Sequence, residues 1–351
     1  MGIANSFASI FVRSNAPIFI HSSFRTSSTW IWSKFRADPT VTAYYECFHE
    51  RLQFISATEI EGWGPGVWES GHPDIEPYFN EYLPLLQQEG GIAGFEQSMA
   101  FDRFFPAKGY DGALSRLETA YINRLIAGAT RLHRTACLTC KRSLGRVHAL
   151  KRFFGGTHIV LQRKLLPQWH SYREQARLGN SYFLDTVLRT IALNQQEPFI
   201  ALLGDFVRTR PGGSADIASS KLDTDDHFVA FVALHFYLYL LTSDDSDVVI
   251  RTSELPDPDY RHTTEKLLRS CTGLTIDLSD AREWTVAPGD LLHNVEKVRR
   301  RIDEFCDWAR RSANKSISQA EACRPLLKDL YESSIGAGRD MHMAGPAAIG
   351  H

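Results

Sequence analysis

Short, continuous apolar runs recur along this chain, separated by longer stretches with helical spacing. Five runs read as strands: Pro17–His21, Thr40–Cys47, Ala136–Cys140, Thr157–Gln162 and Asp247–Thr252. A strand with one wet face alternates apolar and polar residues, whereas a strand apolar throughout must be covered on both sides. Helical patterns fall at 27–37, 111–133, 144–154, 167–178, 182–195, 224–243, 260–272 and 290–312. Within 111–133, Leu114, Leu117, Tyr121, Leu125 and Leu132 recur at a spacing that predicts one buried stripe. The expected class is α/β, a parallel sheet with helices on both faces.

Nothing in the composition forces two domains. The 351 residues are read as one domain over 1–335 and a flexible, small-residue tail over 336–351. Residues 55–110 are rich in Gly, Pro and aromatics and show no period, so they are read as an irregular, functional insertion. A formal charge of −2 speaks against bulk nucleic-acid binding. Cys137 and Cys140 in CLTC lack the second ligand pair a zinc site needs, so they read as strand residues and no metal is expected. The most apolar segment, Phe228–Leu241, has 14 residues against the roughly 20 needed to span a bilayer. Asn5, Ser6 and Arg13 interrupt the weak apolar pattern at the start, so no secretory signal is read there. A soluble cytoplasmic protein without a membrane span is expected.

The first strand runs into HSSFRTSST, His21–Thr29, and then a helical pattern. A strand that ends in a tight loop opening a helix offers unpaired amides and the positive end of the helix dipole, which suits a phosphate or sulfate. Arg25 adds a fixed, bidentate charge, and Thr26, Ser27, Ser28 and Thr29 supply hydroxyls. A Ser-rich helix cap beside a surface arginine is the other reading of the same residues. The two glycines and the lysine of a Walker A loop are missing. KRSLGR, Lys141–Arg146, follows the third strand, either as a second basic group facing the ligand or as a solvated helix start.

FRTSSTW resembles the 5′-phosphosulfate loop of sulfotransferases that use 3′-phosphoadenylyl sulfate (PAPS): a basic residue, [ST]-G-[ST]-T, then often Trp. Arg25, Thr26, Ser28, Thr29 and Trp30 match it, with Ser27 in the glycine position. The family's second signature, an Arg ending a strand and a Ser eight residues later, is similar to Arg163 and Ser171; Lys164 and Leu165 stand where the family has Asp-Pro. A third, weaker likeness runs from Val248 to Leu274.

The resemblance covers about 16–50 and 136–275, and it implies a P-loop-like sulfotransferase fold. It also implies that Arg25, Thr26, Ser27, Ser28, Thr29 and Trp30 hold the 5′-phosphosulfate and adenine, while Arg163 and Ser171 hold the 3′-phosphate. Pro39 and Glu46, fourteen and twenty-one residues after Arg25, are spaced as in the Golgi tyrosylprotein sulfotransferases. That spacing implies Glu46 as general base, with Arg25 stabilising the leaving group; a strand-end carboxylate paired with an arginine is the other reading of Glu46, and His49 and His21 are the other base candidates. The implied reaction moves a sulfuryl group from PAPS to a hydroxyl of a carbohydrate or glycolipid, with peptide tyrosine second, and asks for no metal. A P-loop-type nucleotide kinase and a catalytically inactive nucleotide-binding relative are the alternatives.

Overall fold

Five strands form one all-parallel sheet: β1 (Ile18–His21), β2 (Val41–Tyr44), β3 (Thr135–Cys140), β4 (Thr157–Gln162) and β5 (Val248–Arg251). The structure is a computed structural model that describes residues 16–64, 77–100, 103–282 and 292–337. The spatial order is β2-β3-β1-β4-β5, so β1 is central, with Ile20 between Thr139 and Ile159. All five expected strands are present, and β1 is buried along its whole length, as a strand covered on both sides must be. The second is shorter than expected: β2 stops at Tyr44, and residues 45–49 turn away.

The helices, in chain order, begin with α1 (Ser28–Arg36), α2 (Ala57–Gly62), α3 (Arg116–Arg131), α4 (Val147–Phe154), α5 (Leu165–Arg177) and α6 (Tyr182–Leu193). They continue with α7 (Pro198–Arg208), α8 (Thr224–Leu241), α9 (Pro258–Thr272), α10 (Val295–Ser312), α11 (Ile317–Cys323) and α12 (Lys328–Ala337). α1 and α3 both pack on β2 and β3.

α3 begins later than its periodicity suggests, because Ser115 and Glu118 form a capping box. Its buried stripe is Tyr121, Ile122, Leu125 and Ala129, while Leu117 and Leu132 face water. α7 was not expected from the sequence. Pro198, which reads as a break, occupies the first turn, where a missing N–H costs nothing. α11 and α12 were not expected either. α9 follows the favoured grammar at both ends, with Asp257 capping, Pro258 in the first turn and Gly273 left-handed at the exit (φ 75°). The expected tail overlaps the end of α12, and residues 338–351 lie outside the described residues.

Two cores result. One joins the sheet to α1, α3 and the aromatics Tyr78, Phe79, Tyr82 and Phe95 of the insertion, which is short helical turns rather than open loop where it is described. The other surrounds α8, which packs against α5, α6, α7, α10 and α11. α8 is apolar on every side, so it needs a complete shell of helices. By length and composition it could cross a membrane, yet its apolar window is almost wholly buried in the protein.

Topology puts the ligand-binding edge in one place. From β1 the chain crosses over β3 to reach β2, and from β3 it crosses over β1 to reach β4. Connections therefore diverge around β1, and the crevice beyond the carboxyl ends at such a point is where open parallel sheets bind ligands.

Candidate functional site

The loop after β1 is held tightly. Ser22 N–H donates to the Cys140 carbonyl at 3.1 Å, and the Thr26 hydroxyl folds back to the Ser23 carbonyl at 2.8 Å. From α5, the Gln168 amide donates to Ser23 Oγ (2.9 Å) and the Phe24 carbonyl (2.7 Å), and Tyr239 of α8 meets Ser23 Oγ at 3.0 Å. Arg25 and Ser27 adopt left-handed backbone, φ 61° and 60°. Ser27 is thus where the chain reverses into α1, which explains why the resembled motif has glycine there. It caps α1 without a side-chain hydrogen bond, and no acidic residue sits in the first turn. The positive end of α1 therefore has no anionic side chain of its own.

Arg25, Arg163 and Ser171, far apart in sequence, meet here. Arg25 Nε donates to Ser171 Oγ at 2.8 Å, and Arg163 donates to the Arg25 carbonyl at 2.7 Å. The Arg25 guanidinium lies against the Phe183 ring, 5.5 Å from its centroid. Neither arginine has a carboxylate partner among the described residues. Burial lowers both, and for Arg163 the charge of Arg25 adds to the effect, bringing it down to about 10. At neutral pH Arg163 therefore stays a cation, held beside a like charge in a partly dehydrated place. Such a pair is stabilised by an anion.

The other loop residues divide. Thr26 is fully buried and staples the loop, so its side chain does not face a ligand. Ser28 is buried in the first turn, and Thr29 Oγ1 lies 3.1 Å from the Tyr45 hydroxyl. Trp30 has Lys34 over its ring (5.3 Å), and its indole N–H points to Asp280 at 3.4 Å. One face of that indole is therefore already taken.

Glu46 lies just past β2, not on it, with φ 46° and 1% exposure. Its carboxylate is 3.4 Å from Lys141 Nζ and 3.7 Å from Arg142, and it accepts the Lys141 backbone N–H at 3.3 Å. The KRSLGR stretch is therefore not a solvated helix start. Arg142 also reaches Glu50 (3.0 Å) and the Tyr182 hydroxyl (2.6 Å), while Arg146 pairs with Glu118 (3.3 Å) and bonds the Met99 carbonyl (3.0 Å). Burial works to lower the Lys141 ammonium, but Glu46 and Tyr45 outweigh it and raise the group above its usual value.

His49 does not oppose Glu46 across a strand. The two are joined by a turn, His49 N–H to Glu46 carbonyl at 2.8 Å, and His49 Nδ1 accepts from the Arg51 N–H. Burial, against the pull of Glu50, brings His49 down to about 3, so it is a weak base. His21 is buried and held well below its usual value, chiefly by burial. It bridges Ser143 Oγ (2.8 Å) and His158 Nδ1 (3.0 Å), and His158 Nε2 meets the Gly155 carbonyl at 3.0 Å. That carbonyl only accepts, so with both rings neutral His158 donates to Gly155 and His21 Nε2 donates to His158, which leaves His21 Nδ1 to accept from Ser143 Oγ, whose hydroxyl also lies 3.2 Å from the Cys140 carbonyl. Both ring nitrogens of His21 and of His158 are thus engaged, and neither histidine is free to take a proton from a substrate.

Tyr45, Gln168, Tyr239 and Tyr182 were missed in the sequence. Each comes from a different element, and no spacing ties them to the loop. Compared with known proteins, the chain matches no family model, no curated protein and no solved structure.

Proposed function

We propose that the protein binds a 3′-phosphorylated adenine nucleotide and is a sulfotransferase of P-loop-like fold, with PAPS as donor. One observation carries this reading: Arg25 and Arg163 lie side by side with no carboxylate partner among the described residues, joined through Ser171 Oγ and the Arg25 backbone, beside the uncapped start of α1. A lone phosphate on a helix end needs no second buried guanidinium, whereas a nucleotide with two phosphate groups uses both. The residues present fit such a donor. Arg163, Ser171 and the Arg25 side chain would hold the 3′-phosphate, and the α1 amides with Thr29 would hold the 5′ side. The donor supplies an activated sulfuryl group, and a hydroxyl on a glycan or glycolipid is the acceptor, with peptide tyrosine second.

In this reading Arg25 moves from the role the motif suggests. Its Nε points to Ser171, so it belongs to the 3′-phosphate clamp as much as to the leaving group. Glu46 is the carboxylate linked to the loop, through Lys141, Tyr45 and Thr29. Its carboxylate is also engaged by Lys141 and Arg142, 3.4 and 3.7 Å away. That same pairing favours a second reading, a nucleotide-binding relative without transfer. Incubation with sulfate-labelled PAPS and a panel of glycans, glycolipids and tyrosine peptides, without added metal, separates them. Labelled product supports the transferase. Bisphosphate binding without product supports the binding protein, and neither removes both.

A further inference from the structure

Buried tyrosines need one hydrogen-bond partner, and a hydroxyl on a core ring usually finds a single backbone carbonyl. Tyr45 has two side-chain partners from two different parts of the chain, the first turn of α1 and the turn after β3. Its ring is 4% exposed and wedged among Trp32, Tyr78 and Phe79, with centroids 4.9, 5.0 and 5.5 Å away. Its hydroxyl lies 3.0 Å from Lys141 Nζ and 3.1 Å from Thr29 Oγ1.

Proton counting gives this arrangement a direction. An ammonium only donates, so the Tyr45 oxygen accepts from Lys141. The phenol's own proton is then available for Thr29 Oγ1. The Thr29 hydroxyl has no other partner among the described residues, and it stands in the first turn of α1, where the anion would sit. An anion accepting from Thr29 fixes the order: Lys141 to Tyr45, Tyr45 to Thr29, Thr29 to the anion. Successive hydrogen bonds in one sense strengthen one another. The same ammonium lies 3.4 Å from Glu46 Oε1, which has no hydrogen-bond partner.

We infer that Tyr45 is a positioning residue, which polarises the Thr29 hydroxyl toward the bound 5′-phosphate and couples that loop to the Lys141–Glu46 pair. The inference rests on the nucleotide-binding reading and goes beyond it, because it names how the loop senses the buried ion pair.

The test is a double-mutant cycle on binding of adenosine 3′,5′-bisphosphate, followed by calorimetry, with denaturant midpoints measured alongside. Tyr45→Phe keeps the ring and its packing, and Thr29→Val keeps the shape of the helix turn. Thr29→Val, which removes the bond to the anion, is expected to weaken the bisphosphate by roughly tenfold, and Tyr45→Phe, which removes only the strengthening of that bond, by roughly two- to threefold. A chain broken once cannot be broken again, so the double variant should be no weaker than the worse single one. A purely structural Tyr45 would lower the denaturant midpoint while leaving affinity unchanged, or would multiply with Thr29→Val in binding. Either result overturns the inference while the nucleotide reading stands. A wild-type chain that binds no bisphosphate overturns the nucleotide reading and this inference together.

Discussion

Ser27 shows how one residue reports on the backbone beneath it. Its φ of 60° places an L-residue in the left-handed region, which costs roughly 1–2 kcal/mol, and glycine escapes that cost at an entropic penalty of about 0.5–1 kcal/mol. Ser27 makes no capping bond that the change would lose. Ser27→Gly is therefore expected to raise stability by about 0.5–1 kcal/mol, read as a higher urea midpoint with an unchanged slope. A fall in the midpoint would mean that the serine side chain contributes something the hydrogen bonds do not show. Arg25 and Glu46 share the positive φ, so three of the non-glycine residues with strained backbone belong to the candidate site. Strain of this kind persists where surrounding structure enforces it, and functional sites are where it concentrates.

Among the elements, α5 does most to shape the loop. Gln168 is fully buried and donates to both Ser23 Oγ and the Phe24 carbonyl, so it fixes the chain just before Arg25. Gln168→Ala removes both of those bonds and should cost about 2 kcal/mol, with bisphosphate affinity falling roughly tenfold as the loop loosens. Unchanged affinity in a destabilised variant would show that the loop holds its shape without α5. The sheet was legible in the sequence because strands buried on both faces must be apolar throughout, and runs such as Pro17–His21 and Thr157–Gln162 are too short for a buried helix. Arg163 and Ser171 were legible as a pair only through the resemblance to the sulfotransferase signature, since an Arg and a Ser eight residues apart carry no geometry of their own. That Arg25 would bond Ser171 was not legible, since it depends on where α5 crosses β1. An arginine partner for Glu46 was legible, but which cations it would meet was hidden for a similar reason: Lys141 and Arg142 follow β3, and only the β2–β3 register brings them beside it.

At the scale of the whole molecule, stability should depend on pH through its buried histidines. Burial brings His158 and His235 down to about 4, and His21 lies well below its usual value. His158 faces Asp247, Lys151 and Asp245, while His235 is packed against Phe231, Tyr172 and Tyr239. Each has a folded value below the unfolded one of about 6.5, so the unfolded chain binds more protons below that pH. Their penalty is absent above about pH 6.5 and grows as pH falls toward 4. At about pH 5 it amounts to about 2 kcal/mol for a fully shifted histidine. Urea midpoints taken near pH 7 and near pH 5 should therefore differ clearly, the acid value being lower; equal midpoints would mean the rings are charged in the fold.

The central claim, that Arg25 and Arg163 form an anion site for a nucleotide 3′-phosphate, is tested most directly by calorimetry. Adenosine 3′,5′-bisphosphate and AMP are titrated into the wild-type protein and into Arg163→Ala. A charge-assisted contact is worth about 1.5–3 kcal/mol, or roughly tenfold to a hundredfold in affinity. The bisphosphate should bind in the micromolar range and AMP far more weakly, with Arg163→Ala losing affinity for the bisphosphate and little for AMP. Equal affinity for the two nucleotides in the wild-type protein would contradict the account.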